Sequence, residues 1–283
     1  MRTFKKAYLE ITNVCNLSCS FCPGSGRAQG FLSPERFAIL ARRLRPHTQF
    51  LYLHLMGEPL LHPQLSELLS IAAELDFQVM ITTNGTLLSQ RGALLLDFPA
   101  VRKVSISLHS YQGNQLDATL SEYLAPCLSF ARQLAGQGKH CALRLWNLDT
   151  DGAPPEDNFN HTIMQQLEQA FPRPWQSGHR GITLADHIYL EMAERFDWPD
   201  LHAPESDTRF CHGLRDQIGV LWDGTVVPCC LDHEGDIPLG NLFEQPLAAI
   251  LDSPRAWAIY QGFSERRPSE ALCRRCGFST RFS

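Results

Sequence analysis

The stretch Ala7-Tyr8-Leu9-Glu10-Ile11-Thr12, with Cys15-Asn16-Leu17-Ser18-Cys19-Ser20-Phe21-Cys22 two residues beyond it, decides how the rest of the chain is read. The first six residues have the alternating character of a β-strand, which puts three thiols in C-x3-C-x2-C spacing just past its C-terminal end. In α/β architectures this is the end where active sites form. Four thiolates close a [4Fe–4S] cluster, so three on one tight loop leave an iron open to bind and activate a molecule from outside. A zinc loop is the alternative, but it normally pairs C-x2-C with a second such pair or with histidines, and no second pair lies nearby.

Outward from that loop, helix and strand signals alternate. Ser33-Pro34-Glu35 offers an N-cap with proline in the first turn, and Phe37, Leu40, Ala41 and Leu44 follow at helical spacing. Residues 50–55 read as a buried strand, and Leu65, Leu68, Leu69 and Ala72 share a helical face. The pattern continues with strands at 78–82, 101–108 and 141–146, helices near 87–96 and within 122–134, and a sixth strand near 181–188. Repeated βα units with right-handed crossovers predict a parallel sheet curled into a barrel. The polar, proline-rich passage 147–180, containing Ala153-Pro154-Pro155-Glu156, carries one expected helix at 161–170. A linker is expected at 198–207. The expected domains are 1–204 and 205–283.

Hydrophobic residues make up 44% and charged residues 19% of the 283, a globular composition. The net charge of −5 and the lack of any long basic run argue against nucleic acid as a partner. No apolar segment follows Met1-Arg2-Thr3-Phe4-Lys5-Lys6 as a signal peptide requires, and no 18-residue uncharged apolar run exists, so neither export nor membrane insertion is expected. Ten cysteines in such a chain point to metal ligation in a cytoplasmic protein.

The cysteine loop, with Phe21 before its third cysteine, resembles that of the radical S-adenosylmethionine (SAM) superfamily. The resemblance implies that Cys15, Cys19 and Cys22 hold a [4Fe–4S] cluster whose open iron is chelated by the amino and carboxylate groups of SAM. It implies reductive cleavage to a 5′-deoxyadenosyl radical, which abstracts hydrogen from a substrate, with electrons from an external reductant such as flavodoxin or ferredoxin. The implied fold is a partial (β/α)6 TIM-like barrel. Met56-Gly57-Glu58-Pro59 is similar to the family's GGEP motif, with Met56 in place of its first glycine, and Thr83-Asn84-Gly85 to its TNG segment. Gly57 lets backbone approach a ligand, and Glu58 suits the SAM ammonium. Ser105 and Ser107 share one face of the fourth strand and can reach the ribose or carboxylate of SAM. Arg144, on the fifth, suits either that carboxylate or a structural salt bridge. Substrate-side candidates are His109, Tyr111, Trp146 and Asn147, at the ends of the fourth and fifth strands.

Farther on come Cys211, Gly224, Cys229 and Cys273-x2-Cys276, a set that looks like the SPASM/twitch extension of radical SAM enzymes. Residues 217–222 and 225–228 read as strands around the turn pair Asp223-Gly224. Such a hairpin brings Cys229 back towards Cys211. The chain lacks the further cysteines of the longer extension, so one auxiliary [4Fe–4S] cluster is expected, closed by four thiolates and suited to electron transfer; four-cysteine zinc remains the alternative. Cys230 is expected to pack rather than ligate, and Cys127 and Cys141 to be inert core thiols. His212, Arg215 and Asp216 beside Cys211 are candidates to tune the cluster through hydrogen bonds. The expected activity is hydrogen abstraction with net oxidation of a small-molecule or peptide substrate, the auxiliary cluster accepting an electron. The start of the chain, one strand before the cysteine loop, tilts the expectation towards a small molecule. Alternatives are a peptide maturase forming a C–C or C–S bond and, in another class, a non-catalytic iron–sulfur or zinc-binding electron carrier.

Overall fold

A computed structural model of the chain describes residues 2–114, 116–149, 158–205 and 210–282. The first strand, β1 (Lys6–Leu9), leads into the cysteine loop. Helix α1 (Pro34–Leu44) starts where the sequence signals it: the Ser33 hydroxyl accepts from Arg36 N–H, and Phe37, Leu40, Ala41 and Leu44 are buried. Strand β2 (Phe50–Tyr52) stops three residues short of the expected 50–55. Helix α2 (Leu65–Glu74) buries the four residues that share its apolar face, and β3 (Gln78–Thr83) follows.

The units α3 (Leu88–Asp97), β4 (Val101–Ser107), α4 (Leu120–Gly136) and β5 (His140–Leu148) sit where periodicity puts them. A reciprocal capping box between Thr119 and Glu122 fixes the start of α4 ahead of the expected 122–134. Helix α5 (Phe159–Ala170) agrees with the expected 161–170. Residues Ala153-Pro154-Pro155-Glu156 and the end of the 198–207 linker lie outside the described residues.

The expected single strand at 181–188 is instead two. After β6 (Gln176–Gly178), β7 (Gly181–Ala185) turns at Asp186-His187 into β8 (Ile188–Glu194), and it is β8 that runs parallel to β5. His187 adopts φ +62°, a left-handed conformation that ends β7 and reverses the chain. The C-terminal portion forms β9 (Gln217–Val220), β10 (Thr225–Val227), β11 (Gly240–Asn241), α6 (Leu247–Leu251), α7 (Pro254–Ser264) and α8 (Ala271–Arg274). The β9–β10 hairpin turns at Asp223-Gly224 as expected. Among the described residues no helix is long and apolar enough to cross a membrane.

The chain forms two compact units. One comprises residues 2–16, 22–79 and the described part of 196–282, the other 17–21 and the described part of 80–195. In the first, β1 lies parallel between β2 and β9, and β10 and β11 continue antiparallel from β9. In the second, β4, β5 and β8 run parallel, and β7 and β6 add antiparallel edges.

Just past β1, Glu10 is completely buried. Arg27 grips it with two hydrogen bonds of 2.7 and 3.0 Å and donates from Nε to the His233 carbonyl at 2.7 Å, and Trp222 N–H reaches the same carboxylate at 3.2 Å. Removing the guanidinium strands a buried anion. Arg27→Met should destabilise the fold by about 3–5 kcal/mol in urea unfolding; a loss below about 1 kcal/mol would mean the pair behaves as a surface contact.

Candidate cofactor and cluster sites

The base of the cysteine loop is set by two side chains that the sequence reading passed over. Thr12 Oγ1 donates to the Gly30 carbonyl at 2.8 Å and accepts from Val14 N–H at 3.0 Å. Asn13 holds Ala28 and Gly30 with its amide nitrogen and oxygen, each at 2.9 Å. Asn13 and Thr12 are Asx- and hydroxyl-bearing residues beside a tight loop, the signal that could have marked them. Cys15 is exposed and Cys19 and Cys22 are half-buried, none of them in a disulfide.

The Gly57-Glu58-Pro59 segment docks on this base. Glu58 N–H donates to the Val14 carbonyl at 2.9 Å. Gly57 has φ +76°, and a Cβ there would stand 2.6 Å from the Thr12 carbonyl oxygen and 2.8 Å from that of Val14. Only glycine allows both. Glu58 Oε1 accepts from Leu60 N–H at 3.0 Å, so this carboxylate, expected to receive the SAM ammonium, also caps the short turn Pro59–Leu61. Met56 and Pro59 are buried.

In the second unit, Phe21 packs against His109 with ring centroids 4.9 Å apart, and Ser20 N–H donates to the Gly113 carbonyl at 3.0 Å. Asn114, another residue the sequence reading missed, accepts from Ser18 N–H and donates to Cys19 Sγ, each at 3.0 Å. Burial, aided by the charge of Arg144, drives the pKa of His109 down to about 4, so its ring is neutral near pH 7. Its Nδ1 lies 3.2 Å from the Arg144 carbonyl and 3.3 Å from Trp146 N. Asn147 is buried in a carboxamide cluster, bonded to Gln112 at 2.7 Å and Asn160 at 2.9 Å. Tyr111 donates to the Ala118 carbonyl and stacks on Phe159. Asn147 and Tyr111 therefore have structural partners of their own.

Thr83 and Asn84 likewise hold their own turn: Thr83 Oγ1 accepts from Gly85 N–H, and Asn84 Oδ1 from Thr86 N–H and hydroxyl. Ser105 is buried and Ser107 half-buried on β4. Arg144 gives its Nε to Glu191 at 2.9 Å and its Nη1 to Thr82 at 3.3 Å, and lies over the Trp146 ring. Of the two roles open to it from sequence, the structural salt bridge is the one these contacts form. Burial alone would raise the pKa of Glu191, but Arg144 and Lys103 beside it outweigh that and hold it below the ordinary carboxylate value.

Cys211, Cys229, Cys273 and Cys276 come together in the first unit, lining one pocket with Asp232, Phe263 and Leu272. Among the described residues no three side chains of His, Cys, Asp or Glu converge as for a single metal ion. Burial raises the pKa of all four thiols, that of Cys211 to about 11, and neighbouring cysteines add to the rise at Cys211, Cys229 and Cys273. Held as thiolates, the four would need a cationic group among them, and a set of four cysteine sulfurs fits an iron–sulfur cluster. Cys230 instead packs with Tyr8, Leu55, Leu221 and Val227. Cys127 and Cys141 are core thiols whose pKa burial raises, that of Cys127 to about 12. His212 pairs with Asp216 at 3.0 Å, and Arg215 lies over Tyr260.

Comparison with known proteins agrees with this division. Residues 9–125 match the radical SAM superfamily and residues 211–277 match SPASM, an iron–sulfur cluster-binding domain. A "Probable GTP 3′,8-cyclase" of Methanocella arvoryzae is 31% identical over 291 residues, covering 88% of this chain and 89% of that protein. The chain therefore belongs to the radical SAM superfamily and carries a C-terminal SPASM region. It spans 56% of a GTP 3′,8-cyclase of Synechococcus sp. and 65% of the subtilosin biosynthesis protein AlbA of Bacillus subtilis, at 28% and 23% identity. Its fold, a partial barrel of the superfamily type, is shared with BtrN in complex with AdoMet and 2-DOIA (TM-score 0.59, 17% identity, 98% of this chain and 94% of that one). It is shared also with Streptococcus suis SuiB bound to precursor peptide SuiA (TM-score 0.59, 16% identity, 99% and 71%). SAM and a [4Fe–4S] cluster are the superfamily's cofactors, and membership sets aside the non-catalytic carrier.

The packing of Gly57 makes its replacement informative. Gly57→Ala should cost at least about 1–2 kcal/mol from the left-handed backbone alone, more as its methyl meets Thr12, and should lower the iron retained by the cysteine loop. Unfolding midpoints and iron content equal to those of the unmodified chain would show that the close approach is not needed.

Proposed function

We propose that this radical SAM enzyme removes hydrogen from a substrate C–H bond and completes a two-electron oxidation by passing one electron to an auxiliary [4Fe–4S] cluster. The observation that carries the reading is that Cys211, Cys229, Cys273 and Cys276 line one pocket. A set of four thiolates leaves no iron for an outside ligand and suits electron transfer, whereas Cys15, Cys19 and Cys22 leave one iron free. The SAM-binding cluster, when loaded, supplies reductive cleavage of the sulfonium and hydrogen-atom removal, and the protein's part is to bind, orient and exclude side reactions.

In this reading Gly57 brings backbone close to the cofactor, Glu58 meets the SAM ammonium, and Phe21 packs beside the loop. Thr83, Asn84, Ser105 and Ser107 shape the binding of SAM, while Arg144 acts on it only to the extent that Glu191 leaves its guanidinium available. His109, Trp146, Tyr111 and Asn147 face the substrate side, His109 as a neutral ring. Residues 1–204 form the core domain and 205–283 the auxiliary domain. The substrate gives up one hydrogen atom, then one electron to the auxiliary cluster and one proton to solvent. A cytoplasmic flavodoxin or ferredoxin supplies the electron that starts the cycle. Fold likeness to BtrN, solved with 2-DOIA, supports a small-molecule substrate. Likeness to SuiB, solved with its precursor peptide, supports the second reading of a peptide maturase forming a C–C or C–S bond.

The two cysteine sets should separate in their phenotypes. Cys273→Ala/Cys276→Ala should still cleave SAM to 5′-deoxyadenosine under strong reductant while yielding little oxidised product, and Cys19→Ala should lose both activities. Turnover at the unmodified rate in the double variant would make the C-terminal site structural and end the electron-acceptor reading.

A further inference from the structure

We propose that Asn114 is a positioning residue for the cysteine-loop cluster, its carboxamide donating an N–H···S bond to Cys19 that raises the cluster's reduction potential. The inference rests on the reading of Cys19 as a cluster ligand. The orientation of the amide follows from its neighbours. Ser18 N–H can only donate, so the oxygen of Asn114 must face it, at 3.0 Å. The amide nitrogen is thereby turned to the Ser110 carbonyl at 2.7 Å and to Cys19 Sγ at 3.0 Å. Both amide hydrogens and the oxygen are used.

The turn that presents Asn114 is fixed independently. Asn114 N–H donates to the Tyr111 carbonyl, and the Gly113 carbonyl accepts from Ser20 N–H at 3.0 Å. A Cβ on Gly113 would stand 2.8 Å from the Phe21 ring, so a larger residue would push this turn off the loop. A donor aimed at a ligating sulfur draws electron density from it and favours the cluster form carrying one more electron. That electron comes from a one-electron reductant such as flavodoxin, and no bond of the chain is broken.

The test is an EPR-monitored redox titration of the full-length, cluster-loaded chain with Ti(III) citrate, following the signal that SAM perturbs, with iron content measured in parallel. Asn114→Leu removes the donor without adding charge. Asn114→Asp keeps the acceptor for Ser18 N–H but sets a carboxylate against the sulfur. Iron content should be unchanged in both. Reduction should become about tenfold less favourable in Asn114→Leu, a fall of ~59 mV for a one-electron couple, with a larger fall in Asn114→Asp. An unmoved midpoint in Asn114→Leu, even with a shift in Asn114→Asp, would overturn the proposal by leaving only a charge effect. Loss of the cluster from both variants would also overturn it, making Asn114 a loop anchor. A Cys19→Ala chain that keeps its full iron would instead overturn the ligand reading beneath it.

Discussion

A carboxylate buried without a trace of exposure has to be neutralised, and Glu10 sits at the point where β1 hands over to the cysteine loop. Arg27, from the segment that returns after Cys22, is its partner, and the same guanidinium holds the carbonyl of His233. Gly26 N–H adds a bond to Glu234 at 3.0 Å. The charge requirement of one residue thus ties the return of the cysteine loop to the turn at 232–234. That turn also brings Asp232 into the wall of the four-cysteine pocket, its pKa raised to about 6 by burial while its oxygens hold Asp236 and Ile237 N–H. The same strand carries a second constraint. β9 lies parallel to β1 from Lys6 opposite Gln217 to Leu9 opposite Val220, so residues more than two hundred apart in sequence form one sheet.

The two cysteine sets differ in surroundings as well as number. The N-terminal three range from exposed to half-buried and follow a loop braced by side-chain hydrogen bonds. Of the C-terminal four, Cys276 is buried and Cys211, Cys229 and Cys273 are half-buried, in a pocket also lined by apolar residues such as Phe263 and Leu272, where unpaired thiolates would be costly. An accessible three-thiolate loop suits a cluster that must meet an outside ligand. A pocket that supplies four thiolates suits one that exchanges only electrons.

Much of this was legible in the sequence because it is local. The Ser33 cap, the helical faces of α1 and α2, the turn at Asp223-Gly224 and both cysteine spacings are written in neighbouring residues. What escaped depends on contacts across long separations. Nothing near Asn114 announces that it will face Cys19, ninety-five residues away. Nor does Glu191, beyond the strand that the sequence pattern ends near 188, announce that it will claim Arg144. The merging of β7 and β8 into one expected strand came from a run of apolar and β-branched residues in which the left-handed His187 leaves no compositional mark.

The central claim is that one chain holds an open and a closed [4Fe–4S] site on separate cysteine sets. Anaerobic iron and sulfide analysis of the reconstituted chain and of its Cys15→Ala/Cys19→Ala/Cys22→Ala variant tests it most directly. The account predicts about eight of each in the first and about four in the second. About four in the first with stoichiometric zinc, or none in the second from a variant that remains folded, would contradict it.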